Sequence, residues 1–266
     1  MAEHTIWLAF GLTMIAGLST GIGSLIALIA KRTNTKFLCA SLGFSVGVML
    51  YVSFMELLPS AEKDLALLFD EKTKTLILLL SFFGGMGLIA LIDFLIPESN
   101  NPHEMQGVEE MKAANSNALQ RTGIFIALSL TIHNFPEGIA TFTAALSGLS
   151  VAIPITLAIA IHNIPEGIAV SVPIFHATGN RRKAFWLSFL SGLTEPVGAL
   201  VAWLFLMPFW SPLVSGIVMA AVAGIMVFIS LDELLPTAEK YGGHHISISG
   251  LIAGMMVMAL SLYLFI

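Results

Sequence analysis

A helix needs roughly 20 apolar residues to cross a hydrocarbon core about 30 Å thick, and this 266-residue chain supplies such stretches one after another. We read eight, at about 5–30, 37–59, 75–96, 123–147, 151–175, 184–207, 213–236 and 246–266. Only Ser147-Gly148-Leu149-Ser150 separates the fourth from the fifth. Charge is scarce to match. Asp, Glu, Lys and Arg make up 11% of the residues, against about 25% in a typical soluble domain. The expected fold is an all-α integral membrane protein, one polytopic domain over 1–266 embedded in the lipid bilayer. The polar stretch at about 97–121, rich in Asn and Glu, reads as a flexible loop.

The same composition excludes several functions. Basic patches for nucleic acid are absent, and there is no Gly-rich Walker motif for ATP. Cys39 is the single cysteine, which rules out an intrachain disulfide and any multi-cysteine zinc or redox motif. The first apolar segment is too long for a cleaved signal peptide and has no basic residues before it.

Lys and Arg set the orientation. Lys31, Arg32, Lys36, Lys112, Arg121, Arg181, Arg182, Lys183 and Lys240 follow the odd-numbered spans, whereas the other face holds only Lys63, Lys72 and Lys74. By the positive-inside rule, both termini lie outside the cytoplasm and the 97–121 loop lies inside.

Two hexapeptides then demand a function. His133-Asn134-Phe135-Pro136-Glu137-Gly138 and His162-Asn163-Ile164-Pro165-Glu166-Gly167 share five of six residues, each near the middle of an apolar segment. A carboxylate at mid-bilayer costs roughly 2.5–3.5 kcal/mol on insertion scales, so it points to function. Residues three and four apart share a helix face. His133, Asn134 and Glu137 therefore project together, as do His162, Asn163 and Glu166. Pro136 and Pro165 remove a backbone N–H, freeing the carbonyls of Ile132 and Ile161 and kinking both helices. Imidazole nitrogen with amide and carboxylate oxygen suits a borderline divalent metal. One intramembrane His is often just hydrogen-bonded to a neighbouring helix; two copies of the whole motif are hard to explain by packing.

A second repeat joins distant parts of the chain. Ser53-Phe54-Met55-Glu56-Leu57-Leu58-Pro59-Ser60-Ala61-Glu62-Lys63 recurs as Ser230-Leu231-Asp232-Glu233-Leu234-Leu235-Pro236-Thr237-Ala238-Glu239-Lys240, ending the second and seventh spans. Spans five apart run in opposite directions, which makes this an inverted repeat of the kind secondary transporters use. Glu195 sits in the sixth span at the depth of Glu137 and Glu166. Glu56 lies near the outer end of its span, and Asp232 and Glu233 lie near the inner end of theirs. With no Lys or Arg deep in any span, these acids form a graded path for cations. Asp93 suits an interfacial helix end equally well. His103 reads as solvated loop, His244 and His245 as an exposed turn that could weakly hold metal, and Gly17, Gly21 and Gly23 as close-packing positions.

On these motifs the sequence resembles the ZIP family of divalent-metal transporters, and within it the bacterial zinc-uptake branch, over essentially the whole chain. The resemblance implies a 3+2+3 arrangement, with spans 1–3 and 6–8 as the inverted repeat and kinked spans 4 and 5 at the centre. It implies a two-metal centre at the midplane. One site would use His133, Glu137, His162 and Glu166; the other Asn134, Glu137, Asn163, Glu166 and Glu195, with both glutamates bridging. Zn²⁺ would be imported across the bacterial cytoplasmic (inner) membrane, and a His/Asn/Glu site without thiolates would also admit Fe²⁺, Mn²⁺, Co²⁺ and Cd²⁺. Metal would load near Glu56 and leave past Asp232, Glu233 and His244. No catalytic cofactor is expected, and a second copy of the chain is a candidate partner. The 97–121 loop lacks the His-rich tract of many members, which argues against metal buffering by that loop. A competing function is an intramembrane metal-dependent hydrolase. Zincin chemistry, however, uses His-Glu-x-x-His rather than His-Asn-x-Pro-Glu.

Overall fold

The computed structural model of the chain describes residues 3–29, 35–95, 131 and 134–264. Every regular element among them is helical: α1 (Glu3–Ile29), α2 (Thr35–Val52), α3 (Leu58–Ala66), α4 (Glu71–Leu95), α5 (134–147), α6 (Leu149–Thr178), α7 (Arg181–Gly192), α8 (Thr194–Val201), α9 (Pro212–Ile229), α10 (Leu235–Gly242) and α11 (His244–Leu264). Seven helical stretches among the described residues are long and apolar enough to cross a membrane. The expected fourth span lies partly outside the described residues, and its second half is α5. The 97–121 loop lies outside them entirely.

Side chains sort by solvent as a bilayer requires. Apolar residues face outward on the peripheral helices, with Leu80 65%, Phe83 60% and Phe94 85% exposed on α4 and Met256 66% exposed on α11. Helix α6 packs against α1, α2 and α7, with Ile155, Ile159, Val170 and Ile174 fully buried. Polar groups gather inside, as in the contact of Ser24 Oγ with Ser188 Oγ at 2.6 Å, and hydrogen-bond between helices where lipid offers no partner.

Glycines set how the spans cross, and each crossing occurs twice. A side chain at Gly47 would strike the carbonyl of Leu251, and one at Gly254 that of Phe44, where α2 crosses α11. Gly224 meets the carbonyl of Phe82, and Gly85 that of Ala221, where α9 crosses α4. One exchange of spans 2 with 7 and 3 with 8 turns the first set of contacts into the second. The remaining spans obey it too. Gly138 and Gly198 interlock α5 with α8 through the carbonyls of Glu195 and Phe135, as Gly167 and Gly23 interlock α6 with α1 through those of Thr20 and Ile164. Gly17 and Gly192 face each other's carbonyls, on the pseudo-twofold axis itself. Close backbone approach of this kind admits only small residues.

The second-and-seventh-span repeat is also a repeat of conformation. Ser53–Leu57 and Ser230–Leu234 are both π-helical, closed by Leu58 N–H to the Ser53 carbonyl and Leu235 N–H to the Ser230 carbonyl. A third π turn, Ala202–Leu206, is closed by Met207 N–H to the Ala202 carbonyl. Each precedes a proline, at Pro59, Pro236 and Pro208. A proline ring crowds the carbonyl four residues back and offers it no N–H; a widened turn relieves that clash. Pro165 lies inside the continuous helix α6, where it offers no N–H to the Ile161 carbonyl but does not end the helix. At midplane depth the discontinuity falls in the sixth span, at Leu193 between α7 and α8, where Pro196 cannot donate to the Gly192 carbonyl.

Candidate metal centre

Helix periodicity and the glycine crossings bring the motif side chains to one place. Glu137, His162 and Glu166 are buried and each offers a ligand atom within 4.8 Å of the others. His162 Nε2 lies 2.9 Å from Glu137 Oε1 and 3.9 Å from Glu166 Oε1. The other ring nitrogen, Nδ1, lies 2.9 Å from the Ala158 carbonyl. A carbonyl only accepts, so Nδ1 carries a hydrogen, and Nε2 is aimed at the carboxylates, donating to Glu137 Oε1 when protonated and able to ligate a metal ion when it is not. A backbone carbonyl that fixes the tautomer in this way is the usual support for a metal-ligating histidine. Ser45 Oγ donates to the His162 carbonyl at 2.9 Å and anchors this turn of α6 to α2.

The two asparagines are held alike. Asn134 Nδ2 donates to the Ser191 carbonyl at 3.2 Å, and Asn163 Nδ2 to the Ala16 carbonyl at 3.0 Å. Ser191 and Ala16 are equivalent under the pseudo-twofold. With both amide nitrogens spent on backbone, both amide oxygens are free to face a ligand. Asn134 Oδ1 and Asn163 Oδ1 are buried and take part in no hydrogen bond among the described residues, and neither does Glu195 Oε2. Asn163 Nδ2 also donates to Glu195 Oε1, which attaches the sixth-span carboxylate to the cluster. Asn134, Glu137, Asn163, Glu166 and Glu195 are all fully buried. The only buried Lys or Arg among the described residues is Lys74, which lies 2.8 Å from both Glu62 and Glu71, on α3 and α4. Three buried carboxylates with no Lys or Arg beside them among the described residues need protons or a cation to balance their charge. The donor set of one imidazole nitrogen, amide oxygens and carboxylate oxygens fits a first-row divalent ion.

A family pattern described as ZIP Zinc transporter matches residues 95–262. The chain belongs to the ZIP zinc transporter family. Its similarity to ZIP relatives runs end to end. It is 58% identical over 266 residues to the zinc transporter ZupT of Streptococcus mutans, covering 100% of both chains. It is 59% identical over 268 residues to the ZupT of Lysinibacillus sphaericus, covering 99% of this chain and 100% of the other. With the ZupT of Clostridium perfringens it shares 56% over 278 residues, 99% and 98% of the two chains. ZIP membership makes this chain a multi-pass membrane transporter rather than an enzyme, so an intramembrane hydrolase is set aside.

Of the residues expected in this ZIP centre, five come together, Glu137, His162, Asn163, Glu166 and Glu195, while Asn134 is buried one helical turn before Glu137 with its amide on the Ser191 carbonyl. The seventh, His133, lies outside the described residues. The expected path acids fall on the two equivalent π turns. Glu56 is partly exposed on the first, while Asp232 is exposed and Glu233 is 8% exposed on the second. His244 is exposed, with Nδ1 2.6 Å from Glu239 Oε1. The carbonyls of Ala158, Ala16 and Ser191, which aim the ligands, were not foreseen, because backbone groups leave no side-chain signature. A signal for the sixth span's partner does exist. Gly17-Leu18-Ser19-Thr20-Gly21-Ile22-Gly23 matches Gly192-Leu193-Thr194-Glu195-Pro196-Val197-Gly198 at both glycines and Leu, with conservative changes at two further positions.

Proposed function

We propose that this ZIP chain imports Zn²⁺ across the bacterial cytoplasmic membrane, with both termini outside, through a midplane site that holds two ions. The observation that carries this is the buried convergence of Glu137, His162 and Glu166 within 4.8 Å, beside the oxygens of Asn134, Asn163 and Glu195 that no hydrogen bond claims among the described residues. The names of the relatives supply zinc as the substrate. The nitrogen-containing site takes His162, Glu137 and Glu166, with His133 as its fourth ligand. The oxygen site takes Asn134, Asn163 and Glu195 with the same two glutamates. Two unit charges 4 Å apart repel by about 4 kcal/mol at an effective dielectric of 20, and two divalent ions by about four times that. Only shared negative charge between the ions can offset such a term, so Glu137 and Glu166 act as bridges. Three carboxylates against two divalent ions leave one net positive charge, which favours release over trapping. A site of this softness also passes Fe²⁺, Mn²⁺, Co²⁺ and Cd²⁺.

The test pairs flux with stoichiometry. Purified protein in liposomes is expected to take up radiolabelled zinc and to bind two ions per chain at equilibrium. Glu137→Gln and Glu166→Gln are expected to lose both ions and nearly all uptake; Glu195→Gln should lose one ion and retain measurable uptake. A single ion in the unmodified protein, or both positions emptied by Glu195→Gln, would refute the shared-carboxylate site. Absence of uptake by folded protein would refute transport.

A further inference from the structure

The pseudo-twofold places one unlike pair at equivalent stations beside the centre. Glu195 of the sixth span corresponds to Thr20 of the first. The carbonyl of Glu195 lies against Gly138 as that of Thr20 lies against Gly167. One turn earlier, Ser191 accepts the Asn134 amide as Ala16 accepts that of Asn163. Both backbone stations therefore flank the centre from opposite sides, with a carboxylate on one and a hydroxyl on the other.

Thr20 is fully buried, and its Oγ1 makes no hydrogen bond among the described residues. Threonines in helices usually return their hydroxyl to the carbonyl four residues back, as Thr13 does to Ala9 at 2.9 Å and Thr178 to Ile174 at 2.7 Å. For Thr20 that carbonyl belongs to Ala16, which accepts the amide of Asn163 instead. Ser53, Thr141, Thr156, Ser215, Tyr241 and Ser261 also carry buried hydroxyls with no hydrogen bond among the described residues, but none occupies the station equivalent to Glu195. A buried hydroxyl without a partner costs about 1–3 kcal/mol, a cost relieved if the hydroxyl finds its partner when the site is loaded.

We infer that Thr20 positions a water molecule on the oxygen-ligated ion, opposite Glu195, and so completes a six-oxygen shell. This rests on the two-ion centre proposed above. Threonine is shorter than glutamate by two carbon atoms, about 2.5 Å along the chain, which is nearly the span of one water. From the same backbone station it reaches the ion through that water rather than directly. Asn134, Asn163, Glu137, Glu166 and Glu195 supply five oxygens, and the water is the sixth. Octahedral oxygen coordination suits Mn²⁺, whereas Zn²⁺ is content with four ligands. Thr20 thus acts on metal choice, and is a positioning residue rather than a ligand.

The experiment compares Thr20→Val, which keeps the shape and removes the hydroxyl, with Thr20→Ser, which keeps the hydroxyl. Equilibrium binding of Mn²⁺ and of Zn²⁺ is measured on each purified protein, with thermal unfolding as the control for folding. Thr20→Val is expected to weaken Mn²⁺ at the oxygen site about tenfold, the scale of one hydrogen bond to a charged group, and to leave tight zinc binding within about twofold. Thr20→Ser is expected to behave as the unmodified protein. Equal Mn²⁺ affinity in Thr20→Val, or the same loss in Thr20→Ser, would overturn the role of the hydroxyl. A single ion in the unmodified protein would overturn the two-ion centre, and this inference with it.

Discussion

Substituting alanine at Gly138 and at Gly167 makes the same chemical change at two equivalent positions, and the consequences are expected to differ. Each new methyl would land on a backbone carbonyl, that of Glu195 for Gly138 and that of Thr20 for Gly167, well inside contact distance. Backbone cannot rotate away as a flexible side chain can, so the crossing spans must part. Overpacking of this kind costs about 1–3 kcal/mol, and both variants are expected to lose thermal stability by comparable amounts. Metal binding separates them. In Gly138→Ala the displaced segment carries Glu195, whose carboxylate belongs to the oxygen site, and metal–ligand distances tolerate only about 0.2 Å. A shift beyond that is expected to weaken the second ion by about 10–100-fold, the range seen when support for a ligand is lost. In Gly167→Ala the displaced segment carries Thr20, which contributes no direct ligand, and two ions should still bind. Elemental analysis of zinc per chain, beside thermal unfolding in detergent, reads both quantities. If both variants lose the second ion equally, or if neither is destabilised, then the crossings do not set the site's geometry as described.

Three further outcomes follow from the geometry. Lowering pH from neutral to about 5 is expected to weaken zinc binding, because protons compete with the metal for the imidazole and carboxylate ligands; calorimetric titrations on the unmodified protein and on His162→Ala check this, and the variant should show a shallower dependence. Glu56→Gln is expected to slow loading from outside and Glu233→Gln to slow release to the cytoplasm, with central binding intact in both; sided uptake and equilibrium binding on the same samples distinguish path residues from ligands. Pro236→Ala restores an N–H donor, so the Ser230–Leu234 turn can tighten to α and rotate Asp232 and Glu233 by about 100° relative to α10; uptake should fall while zinc stoichiometry holds, and equal uptake would remove the π turn from the transport path.

Much of this site was legible in the sequence because its residue types are expensive where they sit. A carboxylate in an apolar segment can be seen without a structure, and Glu137, Glu166 and Glu195 were picked out on that ground alone; the motif spacing then put His162 and Asn163 on one helical face with Glu166. The spans and the helical class follow equally directly from run length. What stayed hidden involves the main chain. Prolines can be seen, but their effect depends on surroundings. Pro165 sits inside a continuous helix, whereas Pro196 accompanies the break at Leu193, and Pro59, Pro208 and Pro236 each follow a π turn. The carbonyls that aim Asn134, Asn163 and His162 belong to Ser191, Ala16 and Ala158, residues whose side chains have no part in the contact. The match between 17–23 and 192–198 is short and built of small residues, and it gains meaning only when both segments lie against the two motifs.

The glycine crossings have a genetic consequence. Gly47 with Gly224, Gly85 with Gly254, Gly138 with Gly167 and Gly23 with Gly198 form four pairs in which each member faces a carbonyl equivalent to the one its mate faces. Drift can replace the apolar side chains around them almost freely, since lipid and neighbouring helices accept many shapes, but at these positions even one methyl is refused. The inverted repeat is thus written in what the chain forbids. A saturation library scored for zinc-dependent growth should recover the symmetry as paired intolerance, in parts of the chain where identity between the halves has worn away.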